Sequence, residues 1–176
     1  MEQKRYLIAV DLQKDFVDGS LGTEEAKAIV PAAAARIRAR RAEGWEVIAT
    51  LDTHGEDYLS TAEGQKLPVV HCVRGTEGWA LDPAIAEALE GCRTVEKPTF
   101  GSVRLCRMIA GEGVPARIEL IGLCTDICVV SNALLLKAHF PQTPIQVAGA
   151  CCAGVTPQLH EAALQTMASC QIDIIR

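Results

Sequence analysis

Short, largely apolar runs recur along the chain at residues 6–10, 46–51, 93–95, 118–121, 145–147 and 172–175. A strand covered on both faces carries such a run, whereas a half-exposed strand alternates apolar with polar positions. The pattern therefore predicts six buried strands. Helical stretches with recognisable ends lie between them. Pro31 suits the first position of a helix over 31–43 that Gly44 closes, Asp82-Pro83 opens a helix closed by Gly91, and Thr156-Pro157 opens another. With residues 102–110 and 126–138 also helical, strand and helix alternate almost throughout. That order predicts a three-layer α/β/α domain with a six-stranded, mainly parallel sheet and helices on both faces. A chain of 176 residues fits one such domain and needs no second.

Composition narrows the classes of function. Hydrophobic residues at 49% and charged residues at 22% are enough to build a core and too apolar for disorder. The net charge of -5 gives no general attraction to a phosphate backbone, so nucleic acid is not an expected partner. The cluster Arg36, Arg38, Arg40 and Arg41 reads as the solvated face and C-terminal end of a helix. Glu2, Lys4 and Arg5 precede a first apolar run too short for a signal segment or a membrane span. A cytoplasmic protein without a membrane partner is expected, its eight cysteines mostly small buried hydrophobes with no disulfide framework.

The polar residues that could carry chemistry fall where strands end. Asp11 ends the first strand, Asp52 the second, Lys97 follows the third, and 122–128 follows the fourth. Ligands of parallel sheets bind beyond those carboxyl ends. Taken singly, each residue has a plainer reading as a turn aspartate, a solvated lysine or a core cysteine. Their shared location favours a site. The first strand leads into Asp11-Leu12-Gln13-Lys14-Asp15-Phe16, which has no Gly-x-Gly-x-x-Gly to admit a pyrophosphate, so a dinucleotide site is excluded. Cys128 is expected in or near the first turn of a helix, whose partial positive charge and N–H groups would let its thiol ionise near neutral pH. Cys124 lies before the helix and gains less.

Asp52-Thr53-His54 puts two ligand-type side chains two residues apart on an extended segment, where they point the same way. His71 could add a third. His with carboxylate suits one divalent cation, zinc first, with manganese or iron as alternatives.

Three motifs in order carry a resemblance that spans the chain: Asp11-x-Gln13-x-Asp15-Phe16, then Glu96-Lys97-Pro98-Thr99-Phe100-Gly101-Ser102, then Gly122-Leu123-Cys124-Thr125-Asp126-Ile127-Cys128-Val129. They resemble the isochorismatase-like cysteine hydrolase superfamily, its nicotinamidase branch above all. The resemblance implies the three-layer fold, a catalytic triad of Asp11, Lys97 and Cys128, a cis peptide between Leu123 and Cys124, and an oxyanion hole from the Cys124 and Cys128 N–H groups. It also implies Phe16 and Gln13 against substrate, and metal ligands Asp52, His54 and His71, with Glu63 as a further candidate. The implied reaction is deamidation of nicotinamide through a cysteine thioester, with a small-molecule amide as partner and a homo-oligomeric assembly.

The chain also departs from the pattern. Many nicotinamidases carry another His shortly after Asp-x-His and a Trp just before the last ligand, where this chain has Glu56, Asp57, Tyr58 and Leu67-Pro68. Trp79 is a candidate replacement for the missing aromatic. Three other readings stay open: hydrolysis of a ureido, carbamoyl or lactam substrate, a catalytically idle binding domain, and attack by metal-activated water. Isochorismate hydrolysis fits poorly, because enzymes of that activity tend to lack the nucleophilic cysteine.

Overall fold

The computed structural model describes residues 3–176. The elements run β1 (Arg5–Val10), α1 (Lys14–Val17), α2 (Glu24–Ala42), β2 (Glu46–Asp52), α3 (Ala62–Lys66), α4 (Pro83–Ala88) and β3 (Arg93–Lys97). They continue with α5 (Val103–Gly111), β4 (Arg117–Leu123), a π turn (Thr125–Val129), α6 (Val130–His139), β5 (Ile145–Ala153), α7 (Pro157–Ser169) and β6 (Asp173–Ile175). The six strands form one sheet in the order β3-β2-β1-β4-β5-β6. Every pairing is parallel, so the expected sheet is present and more uniform than predicted.

Side chains on successive positions of β1 divide between two cores. Leu7 and Ala9 pack with Val30, Ala34 and Ile37 of α2, and Tyr6, Ile8 and Val10 pack with residues of α5, α6 and α7. This is why the inner strands read as continuous apolar runs. β6 is the exception: at the sheet edge its residues are exposed or half-buried.

The predicted start of the long helix was wrong. Thr23 caps it, accepting a hydrogen bond from the Ala26 N–H, and Glu24 and Glu25 occupy the first turn, so Pro31 lies inside the helix. An apolar stripe of Ala26, Val30, Ala33, Ala34 and Ile37 runs across Pro31 to the core. That continuous burial outweighs the loss of one backbone bond at an exposed proline. The arginine cluster was misread in part, since Arg38 and Arg41 are exposed as expected. Arg36 and Arg40 turn inward and both bond the fully buried Glu119 of β4, and Arg41 bonds the Ala88 and Glu90 carbonyls. A carboxylate buried under α2 must be paired, and these two guanidinium groups satisfy it.

The register brings four strand ends level: Val10 pairs Thr50 and Gly122, and Asp52 pairs Lys97. The chain moves outward from β1 through β2 to β3, then returns to add β4 on the other side of β1. The reversal opens a crevice at the carboxyl ends of β1 and β4. Gly122 is required there, with a φ of 122° and a would-be Cβ 2.1 Å from the Val10 carbonyl oxygen. No helix of the described residues is long and apolar enough to cross a membrane.

Candidate active site

Asp11, Lys97 and Cys128 converge at this crevice. Lys97, the last residue of β3, places its ammonium 2.5 Å from Asp11 Oδ2 and 3.4 Å from Cys128 Sγ. It also donates to the Thr99 carbonyl and lies 3.2 Å from Asp52 Oδ1. The Thr50 hydroxyl donates to Asp11 Oδ1 at 2.6 Å. Asp11 itself has a φ of 47°, a left-handed turn that swings its side chain back over the sheet end. All three groups are buried. Burial raises the Asp11 carboxyl against the pull of Lys97, which makes it a stronger base. Burial works against the Lys97 charge, but Asp11, Cys128 and Asp52 together overcome it and raise the ammonium above its usual range.

Cys128 sits in the π turn, ahead of the regular part of the helix. The Leu123–Cys124 peptide is cis, as the resemblance implied. The surroundings of this thiol oppose the ionisation near neutral pH that a helix N-terminus alone would favour. Burial raises Cys128 well above its ordinary value, the Asp11 charge raises it further, and Lys97 only partly opposes them. Cys124 is pushed up to about 12, by burial first and Asp126 next.

A second cluster adjoins this one through Asp52. His54 Nε2 is 2.9 Å and His71 Nε2 3.4 Å from Asp52 Oδ2, and both imidazole nitrogens lie 3.7 Å from Glu63 Oε1. One ligand atom from each of the four residues falls within 4.8 Å of the others. His71 Nδ1 is 2.8 Å from the Val69 carbonyl oxygen, which holds the proton there and leaves Nε2 free to ligate. Two imidazoles and two carboxylates at this spacing fit a divalent transition metal. His54, His71 and Lys97 depress Asp52 well below the carboxylate range against the effect of its burial.

Cys128 of the first cluster and Asp52, Glu63 and His71 of the second line one cavity of about 180 Å³, whereas Asp11, Lys97 and His54 lie behind its wall. Asp52, Glu63, His71, Cys124 and Cys128 supply its polar wall, and Phe16, Leu21, Leu67, Phe100, Ile127 and Val155 are among its apolar lining. Gln13 does not reach it. Its amide receives the Asp52 N–H and donates to the Asp52 and Trp79 carbonyls, so the expected substrate contact is corrected to a fastening of β2. Trp79 does not line the cavity either, and its indole N–H donates to Thr53 Oγ1. Leu67 stands in the wall where an aromatic was expected. Sequence reasoning missed Thr50, Leu21, Phe100 and Val155. Phe100 lay within a quoted motif and could have been found; the others carry no chemical signature. All eight cysteines are free thiols, with Cys170 exposed.

Comparison with known proteins assigns the family and supports the fold. The isochorismatase domain family matches residues 5–176, and the chain belongs to that family. It is 28% identical over 192 aligned residues to a nicotinamidase/pyrazinamidase of Mycobacterium tuberculosis, covering 97% of this chain and 98% of that one. The crystal structure of a nicotinamidase/pyrazinamidase from Bacillus subtilis superposes with a TM-score of 0.88 at 25% identity, covering 98% of this chain and 100% of that one. A pyrazinamidase of Pyrococcus horikoshii, solved in complex with zinc, gives 0.82 at 26% identity over 98% and 99% of the two chains.

Proposed function

We propose that this chain is an amidohydrolase that deamidates nicotinamide to nicotinate and ammonia. The observation that carries the reading is Lys97, whose ammonium lies between the Asp11 carboxylate and the Cys128 thiol, behind the cavity wall that Cys128 itself forms. An apolar cavity of about 150 Å³ takes up benzene, so this one has room for a single six-membered ring bearing a small amide. Asp11, made basic by burial, takes the thiol proton as sulfur attacks the amide carbon, and Lys97 compensates the charge that remains. The Cys124 and Cys128 N–H groups receive the oxyanion. Asp11 then returns the proton to departing ammonia, and water, deprotonated by the same carboxylate, hydrolyses the thioester.

Asp52, His54, His71 and Glu63 would hold the cation, zinc first and manganese or iron next. When bound it supplies a Lewis-acid seat for a ring nitrogen, which would make it a reader of substrate identity. The known zinc complex of the Pyrococcus relative supports that choice of metal. The absence of an aromatic wall at Leu67 keeps a second small amide, ureido or lactam, as the competing substrate class.

One screen tests both. Ammonia release is followed from nicotinamide, pyrazinamide, benzamide and several ureido compounds. Turnover of the two nitrogen heterocycles with little from benzamide is expected. Equal turnover of benzamide, or preference for a ureido compound, would reject nicotinamide as the substrate.

A further inference from the structure

The turn that carries Cys124 and Cys128 is braced from outside the crevice. Thr125, fully buried, shares a hydrogen bond of 2.7 Å with His160 Nδ1 on α7. Next to it, Asp126 Oδ1 accepts the Val155 N–H at 3.0 Å. Gly154 lets the two segments meet, since a Cβ there would fall 2.8 Å from both Asp126 Oδ1 and the His160 backbone nitrogen. Thr125 itself follows Cys124 directly and precedes Cys128 by three residues, so its hydroxyl anchors the backbone between the two N–H groups assigned to the oxyanion.

We propose that His160 is a positioning residue for the reaction, holding the Thr125 turn so that the oxyanion-binding backbone and the Cys128 sulfur keep one geometry. This rests on the amidohydrolase reading. The bond survives either state of the ring: a neutral Nδ1 accepts from the hydroxyl, and a protonated one donates to it. What matters is the tie. A misplacement on the order of 1 Å at a reacting centre can cost about a hundredfold in rate, and without the Thr125–His160 bond the turn keeps, among the described residues, only the Asp126–Val155 bond to hold it on that side.

The test is a kinetic series on the metal-loaded enzyme. His160→Ala is expected to lower kcat by roughly tenfold to a hundredfold while KM stays within about twofold, because the tie acts on the transition state more than on binding. His160→Asn, whose amide sits near the Nδ1 position, should recover most of the loss. Thr125→Val should match His160→Ala, and the double variant should be no worse than either. Thr125→Val, nearly isosteric, serves if His160→Ala does not fold. An unchanged kcat, a loss confined to KM, or a fully additive double variant would overturn the proposal. The rate of Cys128 alkylation by iodoacetamide, read by mass spectrometry against exposed Cys170, gives an answer that needs no substrate. It should rise severalfold in His160→Ala as the turn loosens, and equal rates would overturn the proposal. Absence of turnover in the unmodified protein would instead defeat the amidohydrolase reading alone.

Discussion

Lys97 Nζ and Asp52 Oδ1 stand 3.2 Å apart, and that contact joins the surroundings of Cys128 to the imidazole–carboxylate cluster. One buried ammonium thus faces two buried carboxylates, Asp11 and Asp52. Removing it leaves both uncompensated. Lys97→Ala should therefore lower stability by about 3–5 kcal/mol in urea unfolding of metal-free protein. In the loaded enzyme it should reduce kcat by more than about a hundredfold, with KM moved far less. An unchanged kcat would remove Lys97 from the mechanism. Asp11→Asn, which deletes the proposed proton acceptor, should be at least as severe.

Thiol reactivity and thiol function separate in this protein. Cys170 is exposed, whereas Cys128 is buried with a raised pKa. Iodoacetamide should label Cys170 first without loss of activity, and inactivation should track the slower labelling of Cys128. Cys128→Ala should abolish turnover and keep the fold, and Cys124→Ala should cost far less. If full Cys128 labelling leaves activity intact, another nucleophile is at work.

Bound metal is the direct readout of the second cluster. His54→Ala and His71→Ala should each weaken the cation's binding by more than roughly a hundredfold, since even loss of an outer-shell partner costs 10–100-fold. Glu63→Gln should cost less, as Glu63 stands 3.7 Å from both imidazole nitrogens on a single helical turn. His139, on α6 away from the cluster, is the control. Elemental analysis after dialysis decides, and full occupancy in His71→Ala would dismiss the site.

Much of the architecture was legible because burial on both faces writes itself into the chain as apolar runs, and Thr156-Pro157 and Asp82-Pro83 mark helix starts by their own chemistry. The site was legible because its reactive residues end strands. Three things were not. Pro31 looked like a start because the sequence does not display the tertiary contact that carries α2 through it. Arg36 and Arg40 looked solvated because Glu119, 83 and 79 positions away, is their partner. Gln13 sat in a catalytic motif yet serves the backbone of β2, and motif position alone cannot distinguish a side chain that touches substrate from one that fastens the frame.

Acid should unfold the protein partly through its paired glutamates. Hydrogen bonds from Arg93, then Lys4, hold Glu112 at about 2. Glu119 is also lowered, with Arg36, Arg40 and Gln146 outweighing its burial. Both folded-state values lie below the unfolded one, near 4.3. The stability they supply is complete above that value and is lost as pH falls towards about 2. Urea midpoints measured from pH 7 down to pH 3 should fall for the natural chain. Glu119→Gln should be less stable at pH 7 and show a shallower fall. A fall of equal steepness in both would rule out Glu119 as a source of the acid sensitivity.

Leu67 tests how the cavity recognises a ring. Phe16 and Leu67 both line it, and Leu67 follows α3, the helix that carries Glu63, so its side chain stands where the resemblance led us to expect an aromatic. A leucine gives apolar contact but no flat face, and aromatic pairs contribute about 0.5–1.5 kcal/mol beyond the area they bury. Leu67→Trp should therefore lower KM for nicotinamide by roughly two- to tenfold, with kcat little changed because the wall contacts ground and transition states alike. Leu67→Ala should raise KM. Leu67 is more than a third exposed, so neither change should disturb the core. If Leu67→Trp raises KM for nicotinamide and leaves that of a smaller ureido amide unchanged, the cavity is shaped for a non-aromatic substrate.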